Sequence, residues 1–210
     1  ISYVVNEKSI IRDVSLSVHE GEYLTVVGPS GSGKSTLLKL CSDLISPTSG
    51  TITYNGRPLT AIDPESYRRE VGYCFQRPYL FAKTVRRNIL FPYDIRGLKP
   101  DMSRIEYLFD LLHMPLNYME RRNDELSGGE MQRICLIRSL IFEPNVLLLD
   151  EVTSALDATN TSIVEHVIDE LHKKGITIIS ITHNEEQSLR TANRRITIVD
   201  GQLAKEEVLR

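Results

Sequence analysis

Three short clusters in this chain have residue types and spacings that can do chemistry. Gly28-Pro29-Ser30-Gly31-Ser32-Gly33-Lys34-Ser35-Thr36 follows the pattern G-x-x-x-x-G-K-[S/T]. Its glycines can take positive φ and turn backbone N–H groups inward, making a nest for an anion. Lys34 can reach the β- and γ-phosphates of a nucleotide triphosphate, and the Ser35 hydroxyl can ligate Mg²⁺. A simple glycine-rich turn has no need of that Lys-Ser pair. The second cluster, Val146-Leu147-Leu148-Leu149-Asp150-Glu151, is a continuous apolar run ending in two acids. Asp150 suits a contact with hydrated Mg²⁺. Glu151 lies one residue on, off the strand line, where a general base for water would sit. The third, Leu126-Ser127-Gly128-Gly129-Glu130, is polar and glycine-rich, then turns helical through Ile134, Leu136, Ile137, Leu140 and Ile141. A helix start with a serine and free backbone amides is another anion site. Ser-Gly-Gly-Glu alone fits an ordinary capped helix equally well.

These clusters need elements to hold them. Glu22–Val27 is a short β-rich run before the first loop, and Thr36–Leu40 opens a helical pattern whose dipole adds to the anion site. The run ending at Asp150 reads as a buried strand of a parallel sheet, with its acids at the carboxyl edge. Val14, Leu16 and Val18 alternate with Ser15, Ser17 and His19, which predicts a strand with one buried face. Thr51–Tyr54 followed by Asn55-Gly56 predicts a strand and turn. Val71–Phe75 is β-rich. From about 77 to 127 the pattern changes: Pro78, Pro92, Pro100 and Pro115 break it up, and Met102–His113 has a helical period. Beyond residue 141, strands and helices alternate (Val146–Asp150, Thr159–Lys174, Ile176–Ile181, Glu185–Arg190, Arg195–Val199), and Asp200-Gly201 gives a closing turn. Such alternation predicts a parallel sheet with right-handed crossovers.

Composition narrows the class. The chain has 210 residues, 41% hydrophobic and 25% charged, ordinary for a globular domain. A net charge of −3 argues neither for nor against nucleic acid. The apolar stretches are strand-sized, short of the ~20 residues that span a bilayer. No signal-peptide pattern is present. Cys41, Cys74 and Cys135 are far apart, odd in number and without C-x-x-C spacing, which suits buried thiols in a reducing compartment.

Taken in order, the three clusters resemble those of the ATP-binding cassette (ABC) ATPases, and the resemblance runs from about Tyr3 to the end of the chain. It implies an α/β fold: a P-loop NTPase core with a mostly parallel sheet, a small antiparallel β-subdomain and an inserted helical subdomain. The expected organisation is one ATP-binding domain over 1–210, with core and β-subdomain at about 1–76 and 142–210 and the helical subdomain at about 77–141. In this family the signature, here Leu126-Ser127-Gly128-Gly129-Glu130, closes over the ATP held by the phosphate loop of a second subunit. The chain is therefore expected to form a homodimer on ATP binding. Gln76 matches the glutamine that contacts Mg²⁺ and water and senses the γ-phosphate. Ser154-Ala155-Leu156-Asp157 matches the loop along the dimer seam, His183 the switch histidine, and Tyr3 the aromatic that stacks on adenine. Two residues depart from the family pattern: Val152 stands where Pro is common after the acidic pair, and Asn184 where Asp commonly follows the histidine. Neither removes a catalytic group.

The resemblance implies an Mg²⁺- and ATP-dependent ATPase that powers transport through a separate integral membrane permease. It would sit at the cytoplasmic face of the membrane, and no nucleic acid is expected. A soluble ABC ATPase acting on DNA or ribosomes is the competing reading. That class carries long coiled coils, zinc modules or paired cassettes; here the insertion is short and there is one cassette. A kinase with the same phosphate loop has no use for LSGGE. The segment Gln76–Arg104 is locally basic; it reads as a solvated face or as a surface near membrane headgroups. Phe75, Tyr79, Leu80, Phe81 and Phe91 would form the groove that receives the permease. Finer details (Leu44–Gly50, Tyr73-Cys74-Phe75-Gln76, Asn88–Pro92 and Val152–Asp157) are similar to the cassette of a bacterial iron-export system. Amino-acid, lipid or peptide systems share every catalytic motif.

Overall fold

The computed structural model of the protein describes residues 1–182 and 185–210. The described chain divides into two compact units. One comprises Ile1–Tyr73, Pro144–Glu151 and His172–Arg210; the other comprises Cys74–Glu143 and Val152–Leu171.

The first unit is organised by a six-stranded sheet. A hairpin of β1 (Tyr3–Val5) and β2 (Lys8–Ile11) precedes β3 (Tyr23–Val27), which leads into α1 (Lys34–Cys41). A second hairpin pairs β4 (Thr53–Tyr54) with β5 (Arg57–Pro58), followed by α2 (Pro64–Glu70) and β6 (Val71–Cys74). The later strands are β7 (Val146–Asp150), β8 (Thr177–Ile181), β9 (Arg194–Val199) and β10 (Gln202–Val208). Their order across the sheet is β10-β9-β3-β8-β7-β6. β3 runs parallel to both β8 and β9, and β7 parallel to β8, with Asp150 opposite Ile181. Every residue of β8 is buried, as are all of β3 except Val27 and all of β7 except Val146. That is why these strands read as near-continuous apolar runs rather than alternating ones. β10 pairs antiparallel with β9; Asp200 and Gly201, both at positive φ (48° and 78°), make the tight turn between them. Leu37, Leu38 and Leu40 of α1 bury against Leu24, Val26, Leu148 and Ile196 in one core. Each such side chain is worth about 1.5–3 kcal/mol of burial.

The expected small antiparallel part is present as two two-stranded ribbons, β1-β2 and β4-β5. One expectation changes in this unit. The segment Val14–Val18 is not a strand. Val14, Leu16 and Val18 do turn towards the core while Ser15 and Ser17 face out, so the alternation correctly reports burial but not pairing.

The second unit holds α3 (Val85–Asp94), α4 (Met102–Leu111), α5 (Gly128–Leu140) and most of α6 (Ala158–Lys173). Thr84, Asp101 and Ser127 cap the first three by accepting from the backbone N–H of Arg87, Arg104 and Glu130. Ile89, Ile105, Phe109, Ile134 and Ile137 are fully buried. Pro92 does not break the chain as expected but sits inside α3, within its last turn. There its missing N–H costs one hydrogen bond near the helix end instead of mid-helix. In chain order, α7 (Glu185–Thr191) joins β8 to β9 in the first unit.

Candidate active site

The loop Gly28–Gly33 connects the carboxyl end of β3 to the start of α1. Gly28 has φ 142°, and a Cβ there would lie 2.0 Å from the Ile198 carbonyl oxygen, so only glycine fits. Gly33 is left-handed and opens α1, whose first turn carries no acidic side chain. The helix therefore presents bare N–H groups and the positive end of its dipole, a site for an anion. Lys34 is buried, 5% exposed, and its Nζ donates to the carbonyls of Gly28 (2.9 Å) and Pro29 (2.8 Å). Burial pushes its ammonium below the usual lysine value, against the opposing pull of Glu151 and then Asp150. An ammonium lodged in this way is a charge that a phosphate oxygen can claim with little reorganisation.

The Ser35 hydroxyl donates to Asp150 Oδ1 at 2.8 Å, and the Tyr73 hydroxyl donates to Asp150 Oδ2 at 2.8 Å. Asp150 is 4% exposed at the end of β7. Ser35 Oγ and the Asp150 carboxylate thus offer adjacent oxygens of the kind a hard cation takes. Mg²⁺ characteristically uses one or two carboxylates and completes its shell with phosphates and water. Glu151, the next residue, has φ 50°. A non-glycine residue there stores about 1–2 kcal/mol of strain, and the bend takes Glu151 off the line of β7.

The second unit carries the other motifs. Ser127 and Glu130 form a reciprocal capping box: Ser127 Oγ accepts from Glu130 N at 3.3 Å, and Glu130 Oε2 accepts from Ser127 N at 2.7 Å. Glu130 also accepts from the Tyr118 hydroxyl at 2.7 Å. Burial alone would raise its carboxyl pKa, but hydrogen bonds from Tyr118 and Ser127, with help from Arg121, hold it below the usual value. Gly129 is bare where a Cβ would come within 3.2 Å of Asn160 Nδ2 and 3.5 Å of Leu156 Cδ2, so Leu126–Glu130 packs closely on the Ser154–Asp157 segment. Asp157 Oδ1 accepts from Asn160 N at 2.8 Å and caps the first turn of α6.

The structure brings Gly28 to Thr36, Asp150 and Glu151 together in the first unit. Tyr3 belongs to that unit too, half-buried on β1 and packed on the core. Gln76, Leu126–Glu130 and Ser154–Asp157 belong to the second unit, where Gln76 is exposed just after β6. His183 lies outside the described residues. One contact at the site, the Tyr73 hydroxyl on Asp150, is not marked by any motif. Its signal is faint: a tyrosine in a β-rich run, with nothing local to say which strand lies beside it.

Comparison with known proteins fits this geometry. The family model described as ABC transporter matches residues 11–154. The chain is 41% identical over 199 residues to the "Probable iron export ATP-binding protein FetA" of Escherichia coli (strain K12), covering 94% of this chain and 88% of that protein. It is 39% identical over 212 residues to the "Lipoprotein-releasing system ATP-binding protein LolD 1" of Chlorobium chlorochromatii (strain CaD3), covering 97% and 85%. Its fold is similar to the dimeric post-hydrolysis structure of the ATP-binding cassette MJ0796 bound to ADP and Pi, at a TM-score of 0.89 and 27% identity, over 100% of this chain and 95% of that one.

Proposed function

The chain belongs to the ABC transporter family, and from that premise we propose how its residues divide the work of ATP hydrolysis and what the hydrolysis drives. As an ATP-binding subunit of this family it is an ATPase. The cluster of Lys34, Ser35 and Asp150 at the foot of the phosphate loop carries the reading. Residues Gly28–Thr36 bind the phosphates, with Lys34 on the β- and γ-oxygens. Ser35, Asp150 and Gln76 would hold Mg²⁺, which would neutralise phosphate charge. Glu151 orients and deprotonates the water that attacks the γ-phosphorus in line, giving ADP and inorganic phosphate. His183 holds the γ-phosphate end, and Tyr3 stacks on adenine. Leu126–Glu130 completes the site of a second copy, and Ser154–Asp157 lies along the seam between the two. One ATP-binding domain over 1–210, with a helical subdomain at about 77–141, is the organisation this implies.

The work done is transport. Among the described residues no helix is long and apolar enough to cross a membrane. From the family likeness we assign the path to a separate permease that holds two copies of this chain at the cytoplasmic face. The exposed Tyr79, Phe81 and Phe91 of the second unit are its docking groove; Phe81 and Phe91 stack edge-on at 4.4 Å. We assign iron export as the activity, supported by the likeness to the E. coli relative. The similarity to a lipoprotein-release cassette supports a lipid-linked cargo as the second reading.

Two experiments test this. Glu151→Gln keeps ATP binding, loses turnover by about 10²–10⁴-fold as expected for loss of a general base, and doubles in mass by light scattering with ATP but not ADP. Turnover at the wild-type rate refutes the base assignment. Deleting the gene raises cellular iron and sensitivity to iron with peroxide, and Lys34→Ala fails to rescue. Unchanged metal content refutes iron export and leaves the ATPase reading standing.

A further inference from the structure

We infer that Tyr73 is a positioning residue for the metal-binding carboxylate: its hydroxyl fixes the orientation in which Asp150 meets Mg²⁺. The inference rests on the assignment of Asp150 to that metal. A carboxylate on a single Cβ–Cγ bond is free to rotate through a broad, two-fold range. Here both of its oxygens are engaged from opposite partners. Ser35 Oγ donates to Oδ1 and Tyr73 OH to Oδ2, each at 2.8 Å. The two donors come from different elements, α1 and β6, so the plane of the carboxylate is fixed by two anchors that do not move together by chain connectivity. Ser35 is itself a candidate for the metal. Once its oxygen turns to a cation, the Tyr73 hydroxyl is the anchor that still holds Asp150 in plane. A ligating carboxylate held by an outer hydrogen bond is the arrangement that tunes metal affinity elsewhere, and losing the outer partner costs about 10–100-fold.

Backbone placement supports the role. Tyr73 sits on the edge strand β6, beside β7, which carries Asp150. It is half-buried, and its neighbours Val71 and Cys74 are buried and fix the strand. Tyr73 is also the last residue of the first unit before the chain enters the second, three residues ahead of Gln76.

The test separates metal binding from nucleotide binding. Mn²⁺, a paramagnetic substitute for Mg²⁺, is titrated by electron paramagnetic resonance into the full chain with ADP, and ATP affinity is measured separately in EDTA. Tyr73→Phe removes one oxygen. It weakens Mn²⁺ affinity about 10–100-fold, leaves metal-free ATP binding at the wild-type value, and raises the Mg²⁺ concentration needed for half-maximal ATPase rate. An unchanged or tighter Mn²⁺ affinity overturns the inference, and so does an equal loss of metal-free ATP binding, which marks a merely structural residue. Tyr73→Met, apolar and without a donor, is read identically should the Phe variant not fold. Asp150→Asn run alongside distinguishes the two levels. If it too leaves Mn²⁺ affinity intact, the metal assignment of Asp150 fails; if only the Tyr73 variants are silent, the positioning role alone fails.

Discussion

Replacing Gly28 with alanine tests how tightly the phosphate loop is built onto the sheet. The added Cβ would lie 2.0 Å from the Ile198 carbonyl oxygen, whereas ordinary contact begins near 3.4 Å. A gap of 1.4 Å (3.4 − 2.0) must therefore open. β9 cannot supply it, because Ile198 is fully buried and β9 is hydrogen-bonded to β3 on one side and β10 on the other. The loop has to move. Overpacking costs about 1–3 kcal/mol, and a side chain at φ 142° adds about 1–3 kcal/mol of strain. Together these give about 2–6 kcal/mol, or a fall in Tm of about 4–24 °C at 2–4 °C per kcal/mol for a chain of this size. A displacement of more than 1 Å in the groups that hold the phosphates costs about 10²-fold or more in kcat/KM. Gly31→Ala is the internal control. It also has positive φ, 76°, but nothing lies within 4 Å of its added methyl. Only the left-handed penalty of about 1–2 kcal/mol remains. Thermal unfolding by circular dichroism and steady-state ATPase kinetics on both variants decide the matter. If Gly28→Ala unfolds within ~2 °C of Gly31→Ala, or hydrolyses ATP within a few-fold of wild type, the wedge of loop against β9 is not what sets the site.

Three further outcomes are expected. Ser127→Arg puts bulk and charge at the signature helix start and abolishes the ATP-driven doubling in mass of the Glu151→Gln protein; an unchanged dimer counts against closure of the signature over the ATP of a second copy. Glu130 has a depressed folded-state pKa, so the unfolded chain binds its proton more readily and the associated stability is present above about pH 4.5 and lost as pH falls through the folded value. Urea melts from pH 6 to 3.5 should show a shallower acid loss in Glu130→Gln, which keeps the capping-box geometry; parallel curves refute it. Arg194 joins Glu22 (2.6 Å) and Glu206 (2.5 Å), its side chain 14% exposed and that of Glu22 9%. Arg194→Met should cost about 2–4 kcal/mol by leaving Glu22 without this partner, somewhat under the range for a fully buried pair, and a loss below ~1 kcal/mol by urea titration would assign the network to the weak surface class.

What the sequence makes legible is what is chemically local. The glycines, Lys34 and Ser35 are read directly because each type is demanded by a neighbouring backbone or phosphate, and Val146–Asp150 is read because a strand buried on both faces is apolar throughout. The type I′ turns at Asn55-Gly56 and Asp200-Gly201 follow from residue type in the same way. Pairing is not local. The alternation at Val14–Val18 says which side chains are buried and nothing of whether a neighbouring strand exists to receive the backbone. The partnership of Tyr73 with Asp150 depends on β6 lying beside β7, 77 residues away in sequence. α2 carried a usable sign, Asp63-Pro64, with the Asp63 side chain accepting from Ser66 N and proline at the first helical position, but seven residues are too few to show a period. Pro92 misled because its cost depends on which turn of the helix it occupies.

The position of β3 between β8 and β9 has a consequence for how the chain is made. Both of its neighbours lie at Thr177 or later, and synthesis reaches the first of them 150 residues (177 − 27) after Val27 leaves the peptidyl-transferase centre. At about 5–20 residues per second, the strand that carries the phosphate loop waits some 8–30 s as a nascent segment with neither flank of its ladder available. The anchor that shapes the loop, the Ile198 carbonyl against Gly28, comes later still. Nucleotide should therefore bind only to chains extended past Ile198, and a ribosome stalled before residue 177 should present an apolar, unpaired YLTVV segment to chaperones rather than an ATP site.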